Sequence, residues 1–540
     1  MEYMLVYPVV VAGFLLVLAV RIVTYRLYGH PLRGFPGPKL AAATFLYEFY
    51  YDVVKGGMYI WEIERMHEKY GKQLHCTRIS TRKHTTREAT KPHLTQFHQG
   101  PIVRINPREL HIKDPSYYEE IHAGAASKRA KDPEYAVAYG APRSLVGTIN
   151  HDHHRLRRSY LGNYFSKRAI TSLAPYIHEK LDQLIHRFEN AFHHSLVVHL
   201  QLDFAALTAD VITQYCYGWS YGYLDDPNPA EKIDLVDGVA GVMTMFHIHR
   251  FFPILIPISR AVPPSVVRWF QPYMAELFAI KARLRRQAEE TLQSRKTVNI
   301  DDEKVRDGIF EALTSPDIPA QERSLDRLED ESILLLGAGT ETTARAIAMS
   351  MYYVALDEEI GRKLRAELRT VLQTPRSRAS WSDLEQLPYL TGVVNEGLRL
   401  SHGMTARLAR VSQHEPLLYK DWVIPAGTPV SQSNYFVHMD PTLFPEPSKF
   451  DPERWIRAAE RGKYLSRFIV AFTKGSRQCL GINLAYAEIY MTIAHIVRRF
   501  KFVPYETTVE DLMVYRERGV GLPKDGYFDV KAKVKAILED

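Results

Sequence analysis

The decisive stretch is Phe472-Thr473-Lys474-Gly475-Ser476-Arg477-Gln478-Cys479-Leu480-Gly481, in which one cysteine lies in a glycine-flanked turn. No second cysteine is near it in the sequence, so a disulfide, a zinc site and an iron–sulfur cluster would all lack partners. A lone thiolate can still be the single axial ligand of a haem iron, where its electron donation favours cleavage of bound oxygen. The alternative is a buried free cysteine in an ordinary loop, which is the usual state of a lone cysteine.

The residues around the cysteine favour the haem interpretation. Gly475 and Gly481 would let the backbone approach a flat macrocycle, and backbone N–H groups in such a turn can hold the sulfur as an anion. Phe472 would shield the sulfur from water, and Arg477 would pair with a haem propionate. The apolar residues 482–497 predict a helix that begins beside the sulfur, and its N-terminal dipole also favours a thiolate.

A second motif lies in residues 326–356, which have a long helical pattern. The small residues Ala338 and Gly339 would leave room for a diatomic ligand over a haem. Thr342 follows Ala338 by four residues on the same helix face, where its hydroxyl could bond an oxygen ligand or a water, and Glu341 is an acid placed to relay protons. The alternative is a packing kink, because Ser and Thr in mid-helix often bond back to the preceding turn.

Together these motifs resemble the cytochrome P-450 family. Residues 472–481 match its haem signature F-x-x-G-x-R-x-C-x-G at every fixed position, and residues 338–342 match its A-G-x-[DE]-T pattern. The resemblance implies a mainly α fold with a small β-rich part over residues 40–540, haem b with Cys479 as the thiolate ligand of its iron, and O2 as co-substrate. It also implies electrons from NADPH through a separate reductase, since no nucleotide-binding glycine motif or flavin domain is visible.

Glu396 and Arg399 are three residues apart on one predicted helix face. By spacing alone they would be an exposed ion pair of little energetic value. The family resemblance implies instead a buried E-x-x-R pair beneath the thiolate loop, joined by Arg454 from the later segment Pro452-Glu453-Arg454-Trp455. Breaking such a buried network by removing one partner is costly.

Three further residues are implied by the resemblance to bind the haem propionates. Arg410 aligns with a family arginine just after the E-x-x-R helix. His154 and Arg158 match the family's W-x-x-x-R helix, with His in place of Trp. A histidine can still donate a hydrogen bond to a carboxylate, but its charge depends on pH.

The N-terminal segment predicts a membrane anchor. Residues 4–20 are an uninterrupted apolar run that ends at Arg21, long enough with the apolar residues beyond it to cross a bilayer. A cleaved signal peptide would need a basic segment before the run, where only Glu2 is charged. Residues 1–24 are therefore assigned to one transmembrane helix, and residues 25–39, rich in Pro and Gly, to a stiff hinge.

The charges that follow the anchor predict where the catalytic part lies. Positive residues come after the apolar run, and the positive-inside rule therefore keeps the following domain in the cytosol. Microsomal members of the family share this arrangement, which implies a single-pass protein of the endoplasmic reticulum membrane. Arg155, Arg157 and Lys474 are interpreted as part of a basic face toward an acidic reductase, against the alternative of an ordinary charged surface.

Residues 72–100 differ from their surroundings because they are rich in Thr, His, Lys and Arg and lack periodicity. They hold six Lys or Arg and one Glu, which gives +5 of the chain's net charge of +7. Without them, a helix end at Gly71 would run directly into a strand at Pro101. We interpret them as a translated intron, against the alternative of a genuine surface loop. Neither the basic charge nor Cys76 therefore indicates function, and no nucleic-acid partner is expected.

The residues expected to line a substrate pocket are small or apolar, which predicts a lipophilic small-molecule substrate. They are Ala338, the segment Met404-Thr405-Ala406 and the segment Gly519-Val520-Gly521. Residues 239–262 form an apolar segment that is either a lipid-dipping loop at the substrate entrance, as in the family, or ordinary core. The pattern at residues 399–408 resembles fungal members that oxidise terpenoid or polyketide intermediates.

The leading prediction is a membrane-anchored, haem-dependent monooxygenase of fungal secondary-metabolite biosynthesis that inserts one oxygen atom of O2 into a lipophilic molecule. One alternative is a haem-thiolate isomerase or dehydratase that needs no reductase, and the presence of both Glu341 and Thr342 argues against it. The other is a non-catalytic haem-binding protein or the misfolded product of a faulty gene model, against which the complete set of motifs argues.

The intron interpretation predicts a mature transcript that lacks the codons for residues 72–100. Gly71-Lys72 is codon-compatible with a splice donor and Gln99 with an acceptor. Sequencing of complementary DNA from the mature message measures this directly. A message that retains these codons would establish a genuine loop instead.

Overall fold

The computed structural model describes residues 2–71, 101–225, 234–263, 265, 266, 269, 272–297 and 308–539. The predicted insert at residues 72–100 lies outside these residues, so its origin stays a prediction. Internal contacts divide the chain into two compact units: Met1–Tyr118 with Val411–Gln432, and Glu119–Arg410 with Ser433–Asp540. Helices dominate and the strands are short, which agrees with the mainly α fold and small β-rich part implied by the resemblance.

The helices are named in chain order. They are α1 Glu2–Thr24, α2 Lys39–Ala43, α3 Leu46–Phe49, α4 Tyr59–Tyr70, α5 Tyr118–Ile121, α6 Pro133–Ala136, α7 His151–Gly162, α8 Lys167–Ser172, α9 Ala174–His193, α10 Leu200–Tyr217, α11 Asp234–Phe251, α12 Leu255–Ala261, α13 Pro272–Thr297, α14 Ile309–Leu313, α15 Leu325–Leu356, α16 Glu358–Leu368, α17 Trp381–Leu384, α18 Pro388–Ser401, α19 Asn434–His438, α20 Glu453–Glu460 and α21 Ile482–Arg499.

The strands are β1 Ile102–Arg104, β2 Leu110–Ile112, β3 Ala130–Lys131, β4 Val197–His199, β5 Arg410–Val411, β6 Leu417–Tyr419, β7 Trp422–Ile424, β8 Pro429–Ser431, β9 Phe500–Pro504, β10 Arg516–Arg518, β11 Val520–Leu522 and β12 Lys531–Ile537. In the first unit β2 pairs antiparallel with β1 and parallel with β8, while β6 and β7 form a hairpin. In the second unit β12 lies between β4 and β9, and β10 and β11 form a separate hairpin.

Helix α1 begins the first unit and contains the predicted anchor. Residues Val10–Gly29 are long and apolar enough to cross a membrane, with a mean hydropathy of 2.0 and no part of them buried in the protein. The predicted hinge at residues 25–39 is held by specific contacts: the Arg104 amide donates to the Pro36 carbonyl at 2.7 Å, and the Phe35 ring stacks on Trp422. These contacts restrict the backbone in addition to the prolines themselves.

Helix α15 is the axis of the second unit and packs against α10, α18 and α21. Small residues bring its neighbours close. A Cβ at Gly339 would lie 3.0 Å from Ile212 of α10, and a Cβ at Gly397 of α18 would collide with Ser350. Thr208 of α10 also donates to the Thr340 carbonyl at 2.9 Å. The position of α15 is therefore fixed by α10 at the second sequence motif and by α18 further along the helix.

Candidate active site

The cysteine stretch forms a tight loop before α21. Gly475–Arg477 is a single 3-10 turn, and the Cys479 amide donates to the Phe472 carbonyl at 2.9 Å. Gly475 has a φ of +71°, and a Cβ there would collide with the carbonyl oxygens of His122 and Ala123. Only glycine can adopt this left-handed backbone and also lie so close to two carbonyl oxygens. The sequence predicted a close backbone approach at Gly475, and the position of the residue agrees with this.

The Cys479 sulfur faces a cavity of about 400 Å³ inside the second unit. The side chain is accessible from the cavity although it lies deep below the protein surface. Burial raises the pKa of its thiol, while the Gly481 N–H and the charge of Arg158 act in the opposite direction. Phe472 also lines the cavity, and its ring lies 5.1 Å from that of Tyr486. The loop can therefore present one sulfur to a bound group without exposing it to bulk water.

The basic side chains that line the same cavity include a cluster made of Lys131, His154, Arg158, Arg410 and Arg477. The Arg158 guanidinium donates to the Gln478 carbonyl at 2.6 Å, and the Arg477 guanidinium donates to the carbonyls of Thr148 and Ile149 at 2.7 and 2.6 Å. Arg410 donates to the Leu408 and Ala409 carbonyls at 3.1 Å. The four residues that the sequence assigned to propionates are thus brought together, and Lys131 joins them.

The electrostatics of this basic cluster favour an anionic ligand. Burial and the nearby charge of Arg410 lower the pKa of Arg477 to about 9 and that of Lys131 well below its usual range. Burial, followed by the charge of Arg477, lowers the pKa of His154 to about 2. Buried cations that repel one another are stabilised when an anion of matching charge binds among them. The two propionates of a haem beside the Cys479 sulfur fit this donor set.

Helix α7, which carries His154 and Arg158, is held by a buried carboxylate. Glu322 accepts from His153 at 2.6 Å and from Arg157 at 2.7 Å, and Arg327 of α15 lies 2.9 Å away. Burial opposes ionisation, but these hydrogen bonds lower the pKa of Glu322 to about 2. The interpretation of Arg157 as part of an exposed basic face was wrong, because its guanidinium is directed inward to Glu322. Arg155 remains exposed and Lys474 is partly buried.

The second motif lines the cavity from α15. Ala338, Gly339, Glu341 and Thr342 all contribute to its wall. The Thr342 hydroxyl donates to the Ala338 carbonyl at 2.8 Å, which is the back-bonded arrangement considered as the alternative. Its oxygen retains lone pairs that can accept a hydrogen bond, so the helical bond and a role in the cavity are compatible. Arg345 lies 3.4 Å from the Glu341 carboxylate.

The ion network predicted from Glu396 is present and buried. Arg399 bonds both oxygens of Glu396 at 3.0 and 2.7 Å, and Arg454 lies 3.2 Å from the same carboxylate. Trp455 and the Asp451 amide add two donors at 3.0 Å each. The side chains of Glu396 and Arg399 have no exposed surface. The alternative of an exposed pair is therefore wrong.

A short hydrogen-bond path joins this network to the cysteine loop. Arg399 donates to the His438 carbonyl at 3.1 Å, and His438 Nε2 accepts from the Val470 amide at 2.9 Å, two residues before Phe472. Burial lowers the pKa of His438 well below its usual range, with His402 and Arg399 adding to the effect. His438 is therefore neutral, and its acceptor nitrogen fixes the start of the loop.

The pocket prediction was only partly correct. Ala338, Met404 and Val520 line the cavity, whereas Thr405, Ala406, Gly519 and Gly521 are buried and do not belong to its wall. The apolar segment 239–262 was interpreted either as a lipid-dipping loop or as core. Phe246 and Ile256 are buried, as expected for core, whereas other large side chains of the segment are exposed. The exposed ones are Phe252, Ile254 and Ile258.

Sequence reasoning missed four residues that shape the site: Lys131, Glu322, Arg345 and His438. Arg345 could have been found, because it follows Glu341 by four residues in the same helical pattern. The other three have no sequence signal. Lys131 lies 23 positions before His154 and far from Arg410 and Arg477 in the chain, so only the fold brings these charges together.

Comparisons with known proteins extend these local matches to the whole chain. The sequence profile of the cytochrome P450 family matches residues 85–528. Cytochrome P450 monooxygenase aflU of Aspergillus parasiticus is 43% identical over 98% of this chain and 98% of its own. Cytochrome P450 monooxygenase TRI4 of Fusarium sporotrichioides is 42% identical over 93% of this chain and 89% of its own. Conidiogenone synthase PchP450 of Penicillium rubens is 43% identical over 93% of this chain and 94% of its own. The similarity therefore spans nearly the whole of each chain.

Substitution of Gly475 by alanine is expected to destabilise the cysteine loop. The left-handed backbone alone costs an L-residue about 1–2 kcal/mol, and the Cβ would also collide with two carbonyl oxygens. Gly462→Ala is the matched control, since Gly462 has a similar φ of +68° with nothing within 4 Å of its Cβ position. Thermal unfolding and haem content compare the two variants. Equal losses of stability would contradict the close approach at Gly475.

Glu396→Ala is expected to yield protein that does not retain haem. The substitution leaves Arg399 and Arg454 buried without their carboxylate, which costs about 3–5 kcal/mol. Glu359→Ala is the control, because Glu359 and Arg362 form another E-x-x-R pair that is exposed. Haem content per protein and the thermal midpoint measure the outcome. Normal haem content in Glu396→Ala would refute the importance of the network for the loop.

Proposed function

The chain belongs to the cytochrome P450 family, and on that premise we propose that the Cys479 thiolate is the axial ligand of its haem iron. The family uses haem and O2, and the predicted identity as a cytochrome P450 monooxygenase is confirmed by the matched family and its relatives. The observation that carries the proposal for Cys479 is its sulfur facing the same cavity as a cluster of basic side chains. Bound haem supplies the oxygen-activating chemistry, and the protein supplies orientation and exclusion of water.

We assign the propionates to Arg158, Arg410, Arg477 and His154, as the resemblance implied, and add Lys131. The mutual repulsion within this cluster supports the assignment, because two carboxylates would balance it. The depressed pKa of His154 makes it a neutral hydrogen-bond donor rather than a cation. Phe472 and Gly481 complete the proposed surroundings of the sulfur: the Phe472 ring lines the same cavity, and the Gly481 N–H donates to the sulfur.

Glu341 and Thr342 are proposed as the residues that handle protons beside dioxygen. Both line the cavity on α15, next to the small Ala338 and Gly339. Thr342 holds its own proton on the Ala338 carbonyl and can accept one hydrogen bond from a water or from a protonated oxygen. Glu341 is the nearest acid in the sequence motif and can exchange protons with water that enters the cavity.

The electrons are proposed to come from NADPH through a separate flavoprotein reductase. P450 monooxygenases need a redox partner and a small-molecule substrate, and this chain contains no visible nucleotide-binding glycine motif. The balanced reaction is RH + O2 + NADPH + H⁺ giving ROH + H2O + NADP⁺. The exposed Arg155 and the partly buried Lys474 offer positive charge for an acidic partner.

We place the protein in the endoplasmic reticulum membrane with the catalytic part in the cytosol. The apolar span Val10–Gly29 supports an anchor, and the basic residues after the apolar run support the orientation. The exposed side chains Phe252, Ile254 and Ile258 provide a second apolar surface that a bilayer would cover.

The proposed substrate is a lipophilic intermediate of fungal secondary metabolism, of the terpenoid or polyketide type. The cavity is lined largely by apolar side chains, among them Ile212, Val242 and Leu277. A relative named conidiogenone synthase supports a role in the biosynthesis of small molecules.

The test is the absorbance of the reduced, carbon monoxide-bound protein in Cys479→Ala and in the control Cys216→Ala. Wild type and Cys216→Ala should show the red-shifted band of thiolate-ligated haem, because Cys216 is buried in the core away from the cavity. Cys479→Ala should lose the band. Its persistence there would overturn the ligand assignment.

A second measurement separates the proposed function from its alternatives. Full-length protein with a P450 reductase should show substrate-dependent NADPH use when supplied with metabolite extracts from a strain that lacks the gene. Turnover of an oxygenated substrate without reductase would instead support an isomerase or dehydratase. A red-shifted band without any turnover would support a haem-binding protein.

A further inference from the structure

Arg345 follows Glu341 by one helical turn on α15 and is the arginine nearest to the proposed proton-handling acid. Its Nε lies 3.4 Å from Glu341 Oε1, and the two side chains are only 5% and 14% exposed. Burial lowers the pKa of Arg345, whereas Glu341 acts in the opposite direction. The contact is an ion pair rather than a hydrogen bond, and the attraction between two charges is stronger at such low exposure than at the protein surface.

The same guanidinium also contacts the hairpin of β10 and β11. The Nη1 atom of Arg345 donates to the Gly521 carbonyl, and the Cζ atom of Arg345 lies 4.4 Å from the centre of the Phe528 ring. Gly521 is next to Val520, which lines the cavity and forms an isolated bridge with Met404. Arg345 therefore contacts Glu341, which lines the cavity from α15. It also contacts the backbone of Gly521, the neighbour of Val520 in another part of the cavity wall.

The rest of the hairpin is fixed independently of Arg345. The Gly519 carbonyl accepts from the amides of Thr405 and Ala406 at 3.0 and 3.1 Å, and the Gly519 amide donates to Glu517 at 2.6 Å. These bonds and the pairing of β10 with β11 hold the hairpin, while the Arg345 bond is an additional restraint on β11. Loss of the Arg345 bond alone should therefore loosen β11 without unfolding the hairpin.

We propose that Arg345 is a positioning residue that couples the placement of Glu341 to the placement of Val520 in the cavity wall. The coupling rests on the proposed role of Glu341 and extends it to a residue outside the family motif. The planar guanidinium has its donors in a fixed fork, so movement of β11 and movement of the Glu341 carboxylate are mechanically linked. A lysine offers one compact charge and cannot maintain both contacts in the same geometry.

The first measurement is amide hydrogen exchange of residues 516–522 in the full-length holoprotein. Arg345→Met should raise exchange in this segment about tenfold, because a hydrogen bond from a charged group to the backbone is lost. Glu341→Gln should raise it by a smaller factor, since Arg345 keeps its bond to Gly521 but loses the charged partner that helps to position it. The matched control is Arg498→Met. Arg498 is similarly buried and bonds the Leu372 and Gln373 carbonyls, which belong neither to the hairpin nor to the cavity wall.

The second measurement is the fate of electrons when a reductase supplies NADPH without added substrate. Oxygen is then reduced either to peroxide, O2 + NADPH + H⁺ giving H2O2 + NADP⁺, or to water, O2 + 2 NADPH + 2 H⁺ giving 2 H2O + 2 NADP⁺. The second route depends on protons that reach the outer oxygen atom, because only then does the O–O bond break with loss of water. The peroxide-to-water ratio should rise at least about threefold in Glu341→Gln and in Arg345→Met.

The double variant Glu341→Gln/Arg345→Met decides whether Arg345 acts through the acid. The peroxide-to-water ratio of the double variant is expected to be no higher than that of Glu341→Gln alone, because the effects of substituting two residues that act as one unit do not add. Additive effects, or unchanged hairpin exchange in Arg345→Met, would overturn the coupling. If Arg345→Met does not fold, Arg345→Lys replaces it, and wild-type behaviour of Arg345→Lys in both measurements would also overturn it.

These outcomes are separate from the test of the proposed function. The hairpin exchange is a property of the protein backbone and does not require turnover. Absence of the red-shifted carbon monoxide band in wild type would refute the haem-thiolate assignment but would leave the exchange result interpretable. A normal band with unchanged exchange would refute the coupling alone.

Discussion

The carboxylate of Glu396, which has no exposed surface, holds two arginines, and the structure around the cysteine depends on this pairing. A buried carboxylate is stable only when its charge is matched and its lone pairs are bonded. Arg399 and Arg454 satisfy it and use their remaining donors on carbonyls between His438 and Lys449, a segment with little regular structure of its own. The ion network therefore replaces secondary structure as the source of order there, and through His438 the order extends to the cysteine loop.

Buried charge has opposite consequences at two other places in the second unit. Glu322 is surrounded by cations and fixes α7 against α15. The basic cluster around Arg477 lacks such a match among its own members, and burial, followed by mutual repulsion, lowers the pKa values of Arg477 and Lys131. The first arrangement stabilises the fold by itself. The second would be stabilised by a bound anion, and under the proposed assignment haem binding would therefore stabilise this part of the fold.

Much of the site could be predicted because its motifs are contiguous in the chain. The helix predicted at residues 482–497 is Ile482–Arg499, and the one predicted at 326–356 is Leu325–Leu356. These boundaries are nearly correct because apolar periodicity over such lengths is unambiguous. The burial of Arg157 was missed because its partner Glu322 is 165 positions away. A pair at that distance leaves no pattern in local sequence, since its spacing is set by the path of the chain.

The sequence by itself determined the family of this protein, because the haem signature at residues 472–481 and the A-G-x-[DE]-T pattern at residues 338–342 are each contiguous in the chain. The tertiary structure decided which charges share one cavity. Lys131, His154, Arg410 and Arg477 come from distant parts of the chain, and their electrostatic coupling depends on separations in space. It likewise decided that the Arg345 guanidinium contacts the backbone of the 516–522 hairpin, because Coulomb and hydrogen-bond energies depend on distance and direction.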